Sequence, residues 1–271
     1  MSFQPVLAGG GLSGWAFLSR TRETQQAAFD ASAPIVRDTA YFEEKIGSVR
    51  SAEELVGDRR LLRVALGAFG LQDDIDNRYF LRRVLEEGTF DDSALANRLS
   101  DSRYRDFARA FGFGDLDPPR TVLSDFGAEI TAAYRDRQFE VAVGAQDETM
   151  RLAMGLDRAL DRIIGTDTTA NGRWFAVMGE LPVRRVFEGA LGLPASTGAL
   201  DIDRQLTIFR TRSEAAFGSA EVSGFGDPSA REALVRRFLL NADSAGSPVT
   251  GPGSTALTLL SQAARPLAIR F

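Results

Sequence analysis

Gly9, Gly11 and Gly14 stand in the GxGxxG spacing that lets a backbone approach a pyrophosphate, directly after Phe3-Gln4-Pro5-Val6-Leu7-Ala8. A dinucleotide site also needs a strand before the glycines, a helix after them and a second parallel strand ending in an acid. A helix over Trp15 to Phe29 fits the pattern, but Asp30-Ala31-Ser32-Ala33-Pro34 occupies the place of the second strand. The glycines read better as a flexible lead into a helix.

Two acidic groups are the other candidates. Asp73, Asp74 and Asp76 approach the alternation of a calcium loop, but Arg78 and Phe80 fill its later positions and no central glycine is present. Capping the following helix is the plainer role for these acids. Glu86, Glu87, Asp91 and Asp92 offer carboxylates for acid–base hydrolysis, with only their abundance to recommend them over a solvated helix end.

Histidine and cysteine are both absent, which excludes imidazole and thiol catalysis, disulfides and an ordinary serine triad. A protein zinc site is equally disfavoured. An enzyme would have to work with Asp, Glu, Tyr, Arg or Lys45. Lys45 is the single lysine among 32 basic residues and lies in no phosphate loop. Arginine's planar fork suits carboxylate or phosphate recognition, although Arg and Ala enrichment also follows from a GC-rich genome. No catalytic residue, cofactor or metal ligand is assigned.

The 271 residues, 44% hydrophobic and 25% charged, suffice for one large domain or two small ones. A net charge of −5 gives no reason to expect a nucleic-acid partner. No apolar run reaches membrane-spanning length, so membrane insertion is not expected. Val6 to Leu18 is broken by glycines and lacks preceding basic residues, which makes it a poor signal peptide. The expected compartment is the cytoplasm, with export through a dedicated apparatus that cleaves no leader as the alternative.

The clearest element of the chain is Asp58 to Leu71 (DRRLLRVALGAFGL). Asp58 is placed to cap it, Leu61, Leu62, Ala65, Leu66 and Phe69 form one helical stripe, and Gly70 is suited to a left-handed stop. Arg59, Arg60 and Arg63 fall on the opposite, solvent face. The Phe-Gly ending recurs at Phe111-Gly112, and a looser Leu191-Gly192 closes Val183 to Leu193. The first two endings are roughly 40 residues apart, a spacing found in helical repeats, so degenerate helical hairpins within an all-α fold are expected. An α-solenoid is the alternative.

Around these elements, Asp38 is expected to cap a helix over Thr39 to Ile46, and Ser51 with Glu54 to form a capping box. Asp74 to Glu87 reads as one helix, and a short one ends at Leu99. Pro118-Pro119 divides the chain. Val122 to about Ile164 is one long helical region with a break near Gly144, and its stripe is long enough to extend into a homo-oligomer seam. Further helices are expected at about 173–178, 182–191, 200–216 and 228–241. Residues 242–254 read as a linker and Thr255 to Ala264 as a final short helix.

The residues Gly14-Trp15, Phe17-Leu18, Thr21, Gln25-Gln26-Ala27-Ala28-Phe29, Arg37-Asp38, Tyr41-Phe42 and Ile46-Gly47-Ser48-Val49 carry a resemblance. Asp58 to Leu71, Asp74-Ile75, Asn77, Leu95-Ala96-Asn97-Arg98-Leu99 and Arg103-Tyr104 to Gly114-Asp115 continue it. Over about residues 10–116, and more loosely to about 241, the chain resembles a family of alphaproteobacterial proteins defined only as a domain of unknown function. Its genes commonly lie among flagellar genes. The resemblance implies an all-helical fold and flagellar protein partners, and it supplies no active site.

The expectation is a non-enzymatic interaction or assembly protein connected with the flagellum. It would comprise a helical repeat region (1–117), a second helical region (118–241) and a linker with a short tail (242–271). Trp15, Phe17 and Leu18 are the partner-binding candidates, since large apolar residues dominate interface energetics, with core packing the competing role for them. The alternatives are a small-ligand protein or enzyme using Arg and carboxylates in a helical pocket, and a cytoplasmic export chaperone or regulator.

Overall fold

Asp58 and Gly70 bracket the helix expected between them. In the computed structural model, which describes residues 3–246, this helix is α4, Arg59–Phe69. The Asp58 carboxylate accepts the N–H groups of Arg60 and Leu61, two of the donors a helix start leaves unpaired. Gly70 adopts φ 71°, ψ 29°, and Leu71 N–H returns to the Leu66 carbonyl, the closure that a left-handed residue permits. Leu71 is itself buried.

Thirteen α-helices and several single 3-10 turns make up the described residues, and no strand occurs among them. The fold is all-α. The first six helices are α1 (Gly11–Asp30), α2 (Ala33–Ile46), α3 (Ala52–Gly57), α4, α5 (Arg78–Glu87) and α6 (Leu95–Arg98). They are followed by α7 (Arg103–Phe111), α8 (Phe126–Gly144), α9 (Glu148–Gly165) and α10 (Ala170–Gly179). The last three are α11 (Leu181–Leu191), α12 (Ile202–Phe217) and α13 (Pro228–Gly246).

Three expectations about boundaries change. The helix expected from Thr39 begins earlier, at Ala33, with Pro34 in the first turn of α2, where its missing N–H costs nothing. Asp38 is therefore inside α2, buried, with Arg37, Arg60 and Arg63 around it. Asp74 ends a short 3-10 turn and α5 starts only at Arg78. The linker expected from residue 242 also begins later, because α13 runs to Gly246. Residues 247–254 and the helix expected at Thr255 to Ala264 lie outside the described residues.

The long region after Pro118-Pro119 does break near Gly144, into α8 and α9, and Asp147 caps α9 by accepting from Thr149 and Met150. The Ser51 capping box also forms. Ser51 Oγ accepts Glu54 N–H at 3.2 Å, and the Glu54 carboxylate reaches back to Arg50 N–H at 2.6 Å.

α4 is central to the amino-terminal packing, touching α2, α3, α7 and α8. Gly67 makes the α4–α8 approach close: a Cβ there would stand 2.7 Å from the Tyr134 ring. Phe69, Phe107, Phe111 and Phe126 stack edge to face beside it. A second aromatic group, Trp174, Phe187, Phe209 and Phe225, fills the space among α10, α11, α12 and the turn before α13. Trp174 is fully buried and its indole N–H donates to the Ala220 carbonyl at 2.9 Å. One hydrophobic core joins these groups, from Leu18 to Leu239, and passes through both sides of the division at residues 117 and 118.

Gly112, Gly192 and Gly218 close α7, α11 and α12 in the same left-handed conformation as Gly70. Phe217-Gly218 is thus a further aromatic–glycine stop. The helices that lead into these stops pack on different neighbours, α4 on α8 and α2, α11 on α13 and α9.

Candidate functional site

Ionisable groups gather where α8 and α9 meet the start of α7 and of α11. Glu140 on α8 is 3% exposed, and both its oxygens accept from Arg158 Nη2 on α9, at 2.7 and 2.9 Å. Glu180, the residue before α11, is 2% exposed and pairs with Arg162 of α9. Arg162 also reaches Asp106 on α7 at 3.2 Å and donates to Ser102 Oγ. Burial pushes the Asp106 carboxyl up, against the pull of Arg162, Arg105 and Arg109. Helix α8 supplies buried residues around more than one side, Phe139 and Glu140 being adjacent, as a helix packed on several neighbours must.

Beside this network lies a cleft of about 40 Å³ lined by Gly70, Gln72, Arg103, Arg137, Glu140, Arg151 and Glu180 together with apolar residues of α9 and α11. Arg103 is spoken for. It donates to Asp101 at 2.6 and 3.0 Å and to the Gly70 carbonyl at the end of α4. Burial lowers its pKa, but the Asp101 hydrogen bond and charge outweigh that and leave it raised. Arg151 is held by Glu148.

Arg137 differs from them all. Its guanidinium approaches only Glu140, at 3.8 Å, which exceeds hydrogen-bond range. Its Nε, like that of Arg158, is buried without a hydrogen-bonding partner among the described residues, and so is Gln72 Oε1 in the same cleft. Burial, with repulsion from Arg158 and Arg103, outweighs Glu140 and Glu180 and brings Arg137 down to about 10.

Two of the larger concavities hold residues that could contact a ligand or partner. One of about 300 Å³ lies between α6, α7 and α10 and includes Arg105, Arg162, Ser100, Ser102, Thr168 and Phe175. Arg105 Nε is buried there with no partner among the described residues. The other is an open groove of about 640 Å³ where Trp15 faces Asp157, Asp161, Pro228, Arg231, Glu232 and Val235. Arg231 is tied to Asp161 at 2.5 Å and to the Phe225 carbonyl at 2.6 Å.

Trp15 is half-buried, packs on the core and forms part of the groove wall; Phe17 is half-buried; Leu18 is 1% exposed and belongs to the core. Gly10 precedes α1 and Gly14 lies against the Gly9 carbonyl, where a Cβ would come within 2.1 Å, so the glycines serve a tight helix start. Asp74 accepts from Tyr104 Oη at 2.6 Å, and Asp76 pairs with Arg59 at 2.7 Å. These acids make tertiary contacts in place of the caps expected of them. Glu86 and Glu87 pair with Arg82 and Arg83 one turn earlier. No group of three metal-ligating side chains occurs among the described residues. The Arg137 cleft was not visible in the sequence, where its members read as polar faces of helices.

A family model described as "Protein of unknown function (DUF1217)" matches residues 68–230, a span that includes every charged residue of the cleft and lies beyond Trp15. A crystal structure of an Agrobacterium tumefaciens protein is similar over 90% of this chain and 98% of its own, with a TM-score of 0.71 and 25% sequence identity. No curated protein matches the chain.

Proposed function

We propose that this chain, which belongs to the DUF1217 family of proteins of unknown function, is a non-enzymatic protein that acts through contacts with flagellar proteins and supports flagellar assembly or function. The observation that carries the contact reading is the Trp15 groove. An indole that is only half-buried lines a concavity of about 640 Å³, where three acids, Asp157, Asp161 and Glu232, outnumber one arginine, Arg231. Such a surface suits an apolar segment of a partner that carries a basic side chain beside its anchor. The flagellar assignment rests on the resemblance to proteins encoded among flagellar genes, which is an association and not a mechanism.

No helix among the described residues is long and apolar enough to cross a membrane. A place in the cytoplasm and a place outside the cell after export both agree with that. A clean in-frame deletion, scored for swimming and for filaments by electron microscopy, tests the proposal. Loss of filaments supports assembly or export, and paralysed filaments support motor function. Normal swimming with normal filaments overturns the flagellar part. Trp15→Ala tests the groove: partner capture should fall while the fold persists, and capture that survives alongside a lowered Tm would make Trp15 a packing residue only.

A small-ligand role has one observation in its favour, the pocket of about 300 Å³ with Arg105 on its wall, a volume at the lower end of metabolite sites. A metabolite carried through purification of the native chain would bring that reading forward.

A further inference from the structure

We infer that the cleft between the end of α4 and the α8–α9 pair is a carboxylate-binding site, with Arg137 as the group that recognises the anion. The inference stands whether or not the flagellar reading does. Each neighbouring guanidinium already has its carboxylate: Arg103 has Asp101, Arg151 has Glu148 and Arg158 has Glu140. Arg158 donates to both Glu140 oxygens, whereas Arg137 has only a 3.8 Å approach to that carboxylate and no hydrogen bond to any described residue. A guanidinium whose side chain is only 21% exposed, repelled by Arg158 and Arg103, is costly to keep unless an anion meets it.

Charge and size define that anion. With those pairs set aside, and with Glu180 paired to Arg162, Arg137 gives the lining a single positive charge. A monoanion neutralises it, whereas a phosphate dianion would face two buried glutamates with one charge uncompensated. About 40 Å³ is space on the scale of one or two water molecules, so a carboxylate head enters and the body of its molecule stays outside. The planar guanidinium fork matches the two oxygens of a carboxylate. Gln72, whose amide oxygen is buried without a partner in the same cleft, accepts from a donor next to the carboxylate, such as the amide N–H of a peptide's last residue.

The test is calorimetric titration of the full chain, at constant ionic strength in chloride, with three probes and inorganic phosphate. The probes are acetate, a tripeptide with a free α-carboxylate, and the same tripeptide as its carboxy-terminal amide. Saturable binding of acetate or of the free tripeptide, weakened at least about tenfold by Arg137→Gln, is expected. Arg137→Lys, which keeps the charge and loses the fork, should also weaken it. Binding of acetate alone identifies a small acid as the source. Tighter binding of the free tripeptide than of acetate, with none of its amide, identifies a chain terminus. In the unsubstituted protein the Arg137 Nε–H resonance should move with saturation, a readout independent of how any variant folds. Absence of saturable binding by both carboxylates, equal binding by Arg137→Gln, or phosphate binding as tightly as acetate would overturn the assignment.

Discussion

Tyr41 Oη donates to Asp58 Oδ2 at 2.6 Å while Asp58 Oδ1 receives the first N–H groups of α4 at 2.8 and 3.1 Å. One carboxylate thus fastens α2 to the start of α4. Arg60 extends over the Tyr41 ring at 3.8 Å and closes the arrangement. Asp58→Ala should cost about 1–2 kcal/mol by loss of the cap, measured by urea denaturation, and Tyr41→Phe should lower the midpoint in the same direction.

The same residue gives a pH dependence. Burial raises the Asp58 pKa, but the hydrogen bonds from Tyr41, Leu61 and Arg60 outweigh it and leave it lowered. A carboxyl depressed on folding contributes stability above its unfolded pKa, about 3.9, and that contribution is lost as pH falls through the folded value. Wild type and Asp58→Ala should therefore differ at pH 7 and converge in acid. A constant difference from pH 7 to pH 2 would show that the charge does not contribute.

Arg137→Met should stabilise the isolated protein in chloride buffer by about 1–3 kcal/mol, because it removes a desolvated charge that lacks a full partner. Glu140→Gln should cost about 3–5 kcal/mol, since it strands Arg158 and Arg137 together. In the Arg137→Met background the Glu140→Gln cost should shrink, and a double-mutant cycle by thermal denaturation measures the coupling. Strictly additive effects would refute the shared-carboxylate geometry.

The left-handed glycines separate backbone strain from crowding. Among the described residues, no atom beyond the adjoining backbone lies within 4 Å of a Cβ placed on Gly192, so Gly192→Ala should cost only the left-handed penalty, about 1–2 kcal/mol. Gly112→Ala adds a 3.0 Å approach to Leu116 Cδ1 and should cost more. Equal melting temperatures for the two variants would contradict this ordering.

Local signals in the sequence located much of this fold. The Asp58 cap, the Ser51 box, the Gly70 and Gly112 stops and the break near Gly144 depend on residues within one or two turns of each other, which a single chain displays directly. Asp38 shows where such signals conflict. It had the chemistry of a cap, but Pro34 four residues earlier starts α2, and what Asp38 meets, Arg60 and Arg63, comes from another helix. The cleft is hidden for the same reason. Glu140 and Arg158, or Arg162 and Glu180, are 18 residues apart in sequence and join only because helices turn back on each other. Nothing in the sequence of α9 distinguishes Arg158 and Arg162 from solvated arginines. Trp15 stands out in the sequence by its size alone, whereas its place in a groove wall depends on the packing of α13 beside α1.

The contrasting settings of the two tryptophans make the chain its own optical probe. Trp174, enclosed in the second aromatic group, should emit at short wavelength until the core opens, so its fluorescence follows global unfolding. Trp15, in the wall of an acidic groove, should emit further to the red and respond to whatever fills that groove. With Trp174→Phe, the remaining indole reports occupancy of the groove in the absence of any label. A basic apolar peptide that moves its emission to the blue would identify itself as an occupant before any partner is known by name.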